Sequence, residues 1–212
     1  MVTEAGGPSR TTPSTLTPQT TYAWDYENRL TSVTLPNGGG VVSFKYDPFG
    51  RRIQKSSGSG TTIYVYDGAN GVEEVNASGA VTARYVQGAG IDEPLAQSRS
   101  GLSYYNADGL GSITSLTDST GTPTATFVYG AFGVLNSSTG SAANSYRYTA
   151  REYDPETGLY YYRARYYDTQ VGRFLSEDPM QFKGWWPRSK VEVSVPQVRS
   201  FLWMFCLMTS FT

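Results

Sequence analysis

The sequence predicts an all-β chain, made of successive antiparallel β-hairpins that form part of a curled shell. Three observations carry that expectation. A pattern of aromatic, spacer, aromatic and aspartate returns roughly every twenty residues. Gly- or Asn-rich turns follow those aspartates, and β-rich runs with no sustained helical stripe lie between the turns. A period near twenty suits two strands with their turns and is too short for a pair of helices.

Taken in order, residues 1–21 (MVTEAGGPSRTTPSTLTPQTT) are mostly Thr, Pro, Ser and Gly. They hold too little apolar surface to offset the entropy of ordering, and read as a flexible lead-in. The repeats then occupy 22–145. Tyr22-Ala23-Trp24-Asp25 leads to Asn28-Arg29-Leu30, and Phe44-Lys45-Tyr46-Asp47 to Gly50-Arg51-Arg52-Ile53. Tyr64-Val65-Tyr66-Asp67 leads to Asn70-Gly71-Val72. Phe127-Val128-Tyr129-Gly130 with Gly133 is a variant, as is Tyr166-Tyr167-Asp168 with Gly172-Arg173-Phe174.

Each unit reads as a hairpin. Rings two residues apart share one face of a strand, where cross-strand partners stack on them. Asp bonds the backbone two residues on, and Gly or Asn supplies the positive φ that closes the turn. Pro36-Asn37-Gly38, Ala77-Ser78-Gly79, Asp108-Gly109 and Ser119-Thr120-Gly121 read as further turns. Val41–Phe44, Val81–Val86 and Thr124–Tyr129 read as strands between them. Such units cannot bury their apolar faces alone, so they stack, and a strip with free edges is expected to be one section of a longer wall.

Composition excludes much chemistry. The 212 residues carry 17 basic and 18 acidic side chains, a net charge of −1, which argues against a nucleic-acid binder that works by neutralising phosphates. With no histidine, catalytic triads, Cys-His dyads and histidine-ligated metals are ruled out. One cysteine, Cys206, rules out an internal disulfide and thiolate clusters. No metal site and no cofactor are expected.

Residues 146–182 form a denser block, YRYTAREYDPETGLYYYRARYYDTQVGRFLSEDPMQF. Gly158-Leu159-Tyr160-Tyr161, then Arg163-x-Arg165-Tyr166-Tyr167-Asp168 and Gly172-Arg173-Phe174, resemble the repeat-associated core of the Rhs (rearrangement hot spot) family. The units around Tyr22, Trp24, Asp25, Tyr46, Asp47, Gly50, Arg51, Tyr66 and Asp67 resemble its tyrosine-aspartate (YD) repeats. Tyr104–Ser112 resembles an upstream block of the same family, with Asn106 near a position where histidine is usual. What the resemblance implies is a hollow bacterial shell of spiralling hairpins, secreted or at the cell surface, that encapsulates a polymorphic C-terminal toxin. The implied partners are upstream YD repeats and the enclosed polypeptide.

The resemblance also implies an aspartyl self-cleavage site. Two carboxylates sharing one proton are required, one to activate water and the other to polarise the scissile carbonyl. Asp178-Pro179 matches the family's first Asp-Pro-x-Gly motif, with Gln181 in place of Gly, and makes Asp178 half of a dyad. No second Asp-Pro follows; Glu192 is the one later acid. The divergent apolar tail, 183–212, departs from the family where the cleavage motif is expected, which reads as a truncated or frame-shifted end. Three readings follow: an enclosing section whose self-cleavage site is lost, an autoproteolytic core that releases a toxin, and a weak carbohydrate-binding module stacking sugars on Trp24, Tyr64 and Tyr66. Arg165 and Arg173 are expected in ion pairs between strands, and Asp25, Asp47 and Asp67 in turns.

Overall fold

The computed structural model describes residues 19–179. The lead-in up to residue 18 and everything from residue 180 onward, including Gln181, Glu192, Cys206 and the expected tail, lie outside the described residues.

The expected all-β chain of consecutive hairpins is what forms. The first strands are β1 (Thr21–Trp24), β2 (Leu30–Thr34), β3 (Val41–Tyr46), β4 (Arg52–Ser57), β5 (Gly60–Asp67) and β6 (Asn70–Asn76). Then come β7 (Val81–Gln87), β8 (Pro94–Ser98), β9 (Leu102–Ala107), β10 (Ile113–Thr117), β11 (Pro123–Tyr129) and β12 (Leu135–Gly140). These twelve pair antiparallel in chain order, a single meander. A second antiparallel sheet follows, of β13 (Glu152–Asp154), β14 (Leu159–Tyr162), β15 (Arg165–Asp168) and β16 (Arg173–Phe174).

One turn recurs at Asp25, Asp47, Asn76, Asp108 and Asp118. The first residue's carbonyl accepts the N–H of the fourth, and its own N–H donates to the carbonyl of the fifth. Its side-chain oxygen accepts the N–H groups of the third and fifth residues at 2.8–3.0 Å. The fourth residue is left-handed, Asn28 at φ 60° and Gly50 at φ 79°. This is a three-residue hairpin loop whose left-handed residue makes a bulge. The pairing register shifts accordingly at Ala23/Trp24 and Lys45/Tyr46. Bulges raise local twist, and repeated at successive hairpins they curl the strip.

The curl is filled by the second sheet. On the early limb, Leu30, Val33, Val42 and Phe44 pack on Leu159, Tyr161 and Tyr166. In the middle, Ala83, Tyr85, Ile113, Leu116, Ala125 and Phe127 surround Tyr146. On the late limb Tyr129 joins Tyr148, Tyr160 and Tyr167. There the Tyr148 and Tyr167 hydroxyls donate to the Ala131 and Phe132 carbonyls at 3.0 and 3.1 Å. The strip comes almost full circle: Tyr22 of β1 and Leu135 of β12 line one crevice of about 410 Å³ with Tyr153 and Tyr160.

Candidate functional site

The Asp47–Arg51 turn delivers Arg52 to the start of β4, opposite Tyr46, on the concave face. Its side chain is fully buried. The guanidinium donates to Asp154 of β13, to Glu152 at 3.2 Å and to the Tyr64 hydroxyl at 3.3 Å. It also lies over the rings of Tyr161 at 4.3 Å and Tyr64 at 4.8 Å. Its backbone is held as well: the Arg52 N–H donates to the Tyr161 hydroxyl at 2.9 Å, and the Tyr66 hydroxyl donates to the Arg52 carbonyl at 2.9 Å. Lys55 extends the cluster to Asp154 at 3.1 Å and Glu156 at 2.9 Å. Burial works against the Arg52 charge, but the groups around it, Asp154 foremost, together outweigh burial and hold the guanidinium protonated. Burial raises the Glu152 carboxyl, with Arg52 opposing.

Two further polar contacts join strip to core, the first through Ser145, since the Glu74–Arg99 pair lies within the strip. Glu74 accepts from Tyr85 at 2.5 Å, Arg99 at 2.7 Å and Ser145 at 3.0 Å. Asp92 pairs with Arg151 at 2.5 Å and Arg163 at 2.9 Å. Burial raises the Asp92 carboxyl against the pull of both arginines. An open cleft of about 760 Å³ lies above this region, lined by Arg51, Tyr66, Asp92, Arg151, Glu152 and Arg163 among others.

The residues singled out from sequence take several places. Tyr46 donates to the Leu30 carbonyl at 2.7 Å and lies 3.1 Å from the Tyr166 hydroxyl. Trp24 packs against the early-limb core, whereas Tyr22 faces the crevice near Asp168. Arg51 pairs with Asp47 at 2.7 Å and lies over Tyr66. Asp67 ends β5 opposite Asn70, and Gly68, at φ 58°, makes the tight turn between them. Gly158 (φ 73°) and Gly172 (φ 67°) close turns onto the Asp154 and Asp168 carbonyls. Leu159, Tyr160, Tyr166 and Tyr167 are core, Phe174 stacks with Tyr162 and Tyr167, and Arg173 sits opposite Asp168.

Asp178, the expected half-dyad, is 42% exposed at its side chain and pairs with Arg165 at 3.0 Å. Arg165 in turn lies 3.8 Å from the Phe174 ring centre. An aspartyl protease instead needs a second carboxylate sharing a proton. Among the described residues no group of three or more acidic, His or Cys side chains is placed to hold a metal ion. The arrangement clamps one sheet inside another.

Sequence reasoning missed the clamp. Arg52 was visible only as the second arginine of Gly50-Arg51-Arg52, and Glu152, Asp154 and Glu156 as a run of alternating acids. Two arginines after a turn, one belonging to the turn and one to the inward strand face, were the available signal.

Comparison with known proteins places this geometry. The RHS Repeat family model matches residues 24–62 and the Teneurin YD-shell model residues 92–195. The tRNA nuclease WapA of Bacillus subtilis is 40% identical over 165 residues, which is 75% of this chain and 7% of that protein. Double-stranded DNA deaminase toxin A of Burkholderia cenocepacia is 27% identical over 197 residues, 77% of this chain and 14% of that protein. The chain therefore spans a small part of the curated relatives it matches. Among solved structures, TcdB2-TccC3 superposes with a TM-score of 0.61 at 24% identity, covering 77% of this chain and 9% of that one. The Photorhabdus luminescens Tc holotoxin pore gives 0.60 at 22% identity, covering 76% and 9%. These two likenesses are of fold.

Proposed function

The chain belongs to the Rhs (YD-repeat) family, and from that premise we propose that it is the closing section of a toxin-enclosing shell, a wall that ends by wrapping its own core. The observation that carries this reading is the filled curl. Twelve strands circle a four-stranded sheet and are tied to it by the buried Arg52–Asp154 pair and the half-buried Asp92–Arg151 pair. Such a piece suits obstructing passage.

The comparisons support the same reading. A relative described as a tRNA nuclease and another described as a DNA deaminase match largely the same stretch of this chain. A region shared by proteins of unlike chemistry is poorly suited to specifying either chemistry. Enclosure of a polypeptide and export from a bacterium follow from the family reading. Self-cleavage through Asp178 is disfavoured because a cation, Arg165, is its neighbour. A sugar platform is disfavoured because Tyr64 and Tyr66 direct their hydroxyls at Arg52.

The test is a graft. Residues 22–179 replace the matching region of full-length Bacillus subtilis WapA, and the product is imaged by electron microscopy and challenged with protease. Closed particles with a protected C-terminal domain are expected; open strips with a freely digested C-terminus overturn the proposal.

A further inference from the structure

Among the described residues, six other than glycine hold a left-handed backbone. Asn28 and Asn37 are of the type that hairpin turns favour there. The other four, Asp92, Thr149, Ala150 and Arg163 at φ 62°, 50°, 53° and 59°, converge on one ion triad. Arg163 opens the two-residue loop between β14 and β15, where Asn-Gly would close the hairpin without strain and Arg163-Ala164 stands instead. Thr149 and Ala150 form a turn that the Arg151 N–H closes on the Tyr148 carbonyl at 3.1 Å, so the turn leads directly into Arg151. Thr149 is pinned: its N–H donates to the buried Ser112 hydroxyl at 3.1 Å, and its own hydroxyl meets that of Tyr162 at 2.5 Å. Left-handed threonine and arginine cost free energy, persist only where the surroundings impose them, and cluster at functional sites.

The triad so held is unmatched in charge. Arg151 and Arg163 share the single carboxylate of Asp92, at 2.5 and 2.9 Å. The nearby Glu152 carboxylate is taken by Arg52 at 3.2 Å, and that of Glu27 by Arg29 at 2.7 Å. Burial pulls the Arg151 guanidinium below its ordinary value, with Asp92 opposing and Arg163 adding to the fall. A contact built only to clamp would match its charges, since a buried charge in excess is costly. Both arginines line the open cleft of about 760 Å³, a size suited to a small organic ligand, beside Tyr66, Asn70 and Gln87. We propose that Arg151 and Arg163 form an oxyanion site in this cleft, taking the phosphate or carboxylate group of a small molecule on their guanidinium forks. The anion supplies the missing counter-charge, and its binding stabilises the fold in which both core arginines face Asp92 of the strip. The site does not depend on the shell reading, so failure of the WapA graft leaves it standing.

The test titrates the 212-residue chain with sodium phosphate and, separately, sodium succinate, and follows its urea midpoint. Sodium chloride at equal ionic strength is the control. A saturable rise beyond chloride is expected, and the salt that produces it identifies the group bound. Exclusion of these salts from the protein surface would raise the midpoint without saturating. Arg163→Gln is expected to weaken the anion by roughly tenfold or more, the worth of one charged hydrogen bond. Arg163→Lys is expected to recover part of that loss. Asp92→Asn is expected to tighten binding, because it removes the competing carboxylate. A clamp with no ligand would lower the starting midpoint in these variants and show no anion-dependent rise to change. Absence of a saturable rise in the unmodified chain, or a rise that Arg163→Gln leaves intact, overturns the proposal. So does binding that emerges only in Glu177→Gln, because Glu177, which lines the same cleft, then already supplies the counter-charge.

Discussion

Arg52 and Asp154 lie 102 residues apart in the chain and meet in a fully buried ion pair, their side chains 0% and 1% exposed. The pair ties the fourth strand of the strip to the first strand of the inner sheet. Desolvating two charges is costly, so the pair does not stand alone: Lys55, Glu152, Tyr64 and the Tyr161 ring share the site. Several of its predicted consequences can be measured.

Breaking the clamp from one side leaves a buried charge without its partner. Arg52→Met or Asp154→Asn is expected to cost about 3–5 kcal/mol in urea unfolding. The double change to Met and Leu is expected to recover part of it, because neither Arg52 nor Asp154 is then left facing the other's absence, while Glu152 and Lys55 each still lose a partner. Single variants that cost under about 1 kcal/mol would remove the clamp from the account of stability.

Glycine substitutions should separate strain from collision. Gly50 has φ 79° with open space around it, so Gly50→Ala is expected to cost about 1–2 kcal/mol through the backbone alone. At Gly140 a methyl group would lie 2.0 Å from the Thr124 carbonyl oxygen, and at Gly133 it would lie 2.5 Å from the Tyr148 ring. Both are expected to lose more than Gly50→Ala in a thermal melt; the reverse order would contradict the close approaches.

Acid is expected to stabilise the protein before it destabilises it. The Asp92 and Glu152 carboxyls are raised by burial above their ordinary 3.8 and 4.5. As pH falls from neutral toward that range the folded state binds protons ahead of the unfolded one, and stability rises. The turn carboxylates behave oppositely. At Asp25 and Asp47 desolvation is the largest single effect, but N–H groups and arginine together outweigh it, and at Asp118 the Thr120 hydroxyl leads. All three are held below 3.8, so stability is lost as pH drops beneath that value. A urea midpoint plotted against pH should therefore peak on the acid side of neutral, and Asp92→Asn with Glu152→Gln should flatten the rise.

Alkali should unfold the chain through its tyrosines. Burial pushes Tyr46 and Tyr167 up to about 12 from an ordinary 10.0. Above pH 10 the unfolded chain loses phenolic protons that the folded one keeps, so stability falls as pH rises. Absorbance at the tyrosinate band should lag behind a urea-unfolded control; coincident curves would mean that the ring clusters are open to water.

Much of this protein was readable from residues alone, because its turns are local chemistry. Asp47 bonds its own neighbours Phe49 and Arg51, and Gly50 supplies the left-handed step, so a five-residue window suffices to find the hairpin. Strand succession and the all-β class follow from repeating that window. The concave clamp was not readable, since Arg52 and Asp154 carry no local signature of each other. Nor was the position of Asp178, which follows the last strand and meets Arg165 of β15. Local hydrogen bonds set the rhythm of strand and turn, whereas the accumulated twist of successive bulges set which limb meets which, and only the closed curve brings Tyr22 round to Leu135.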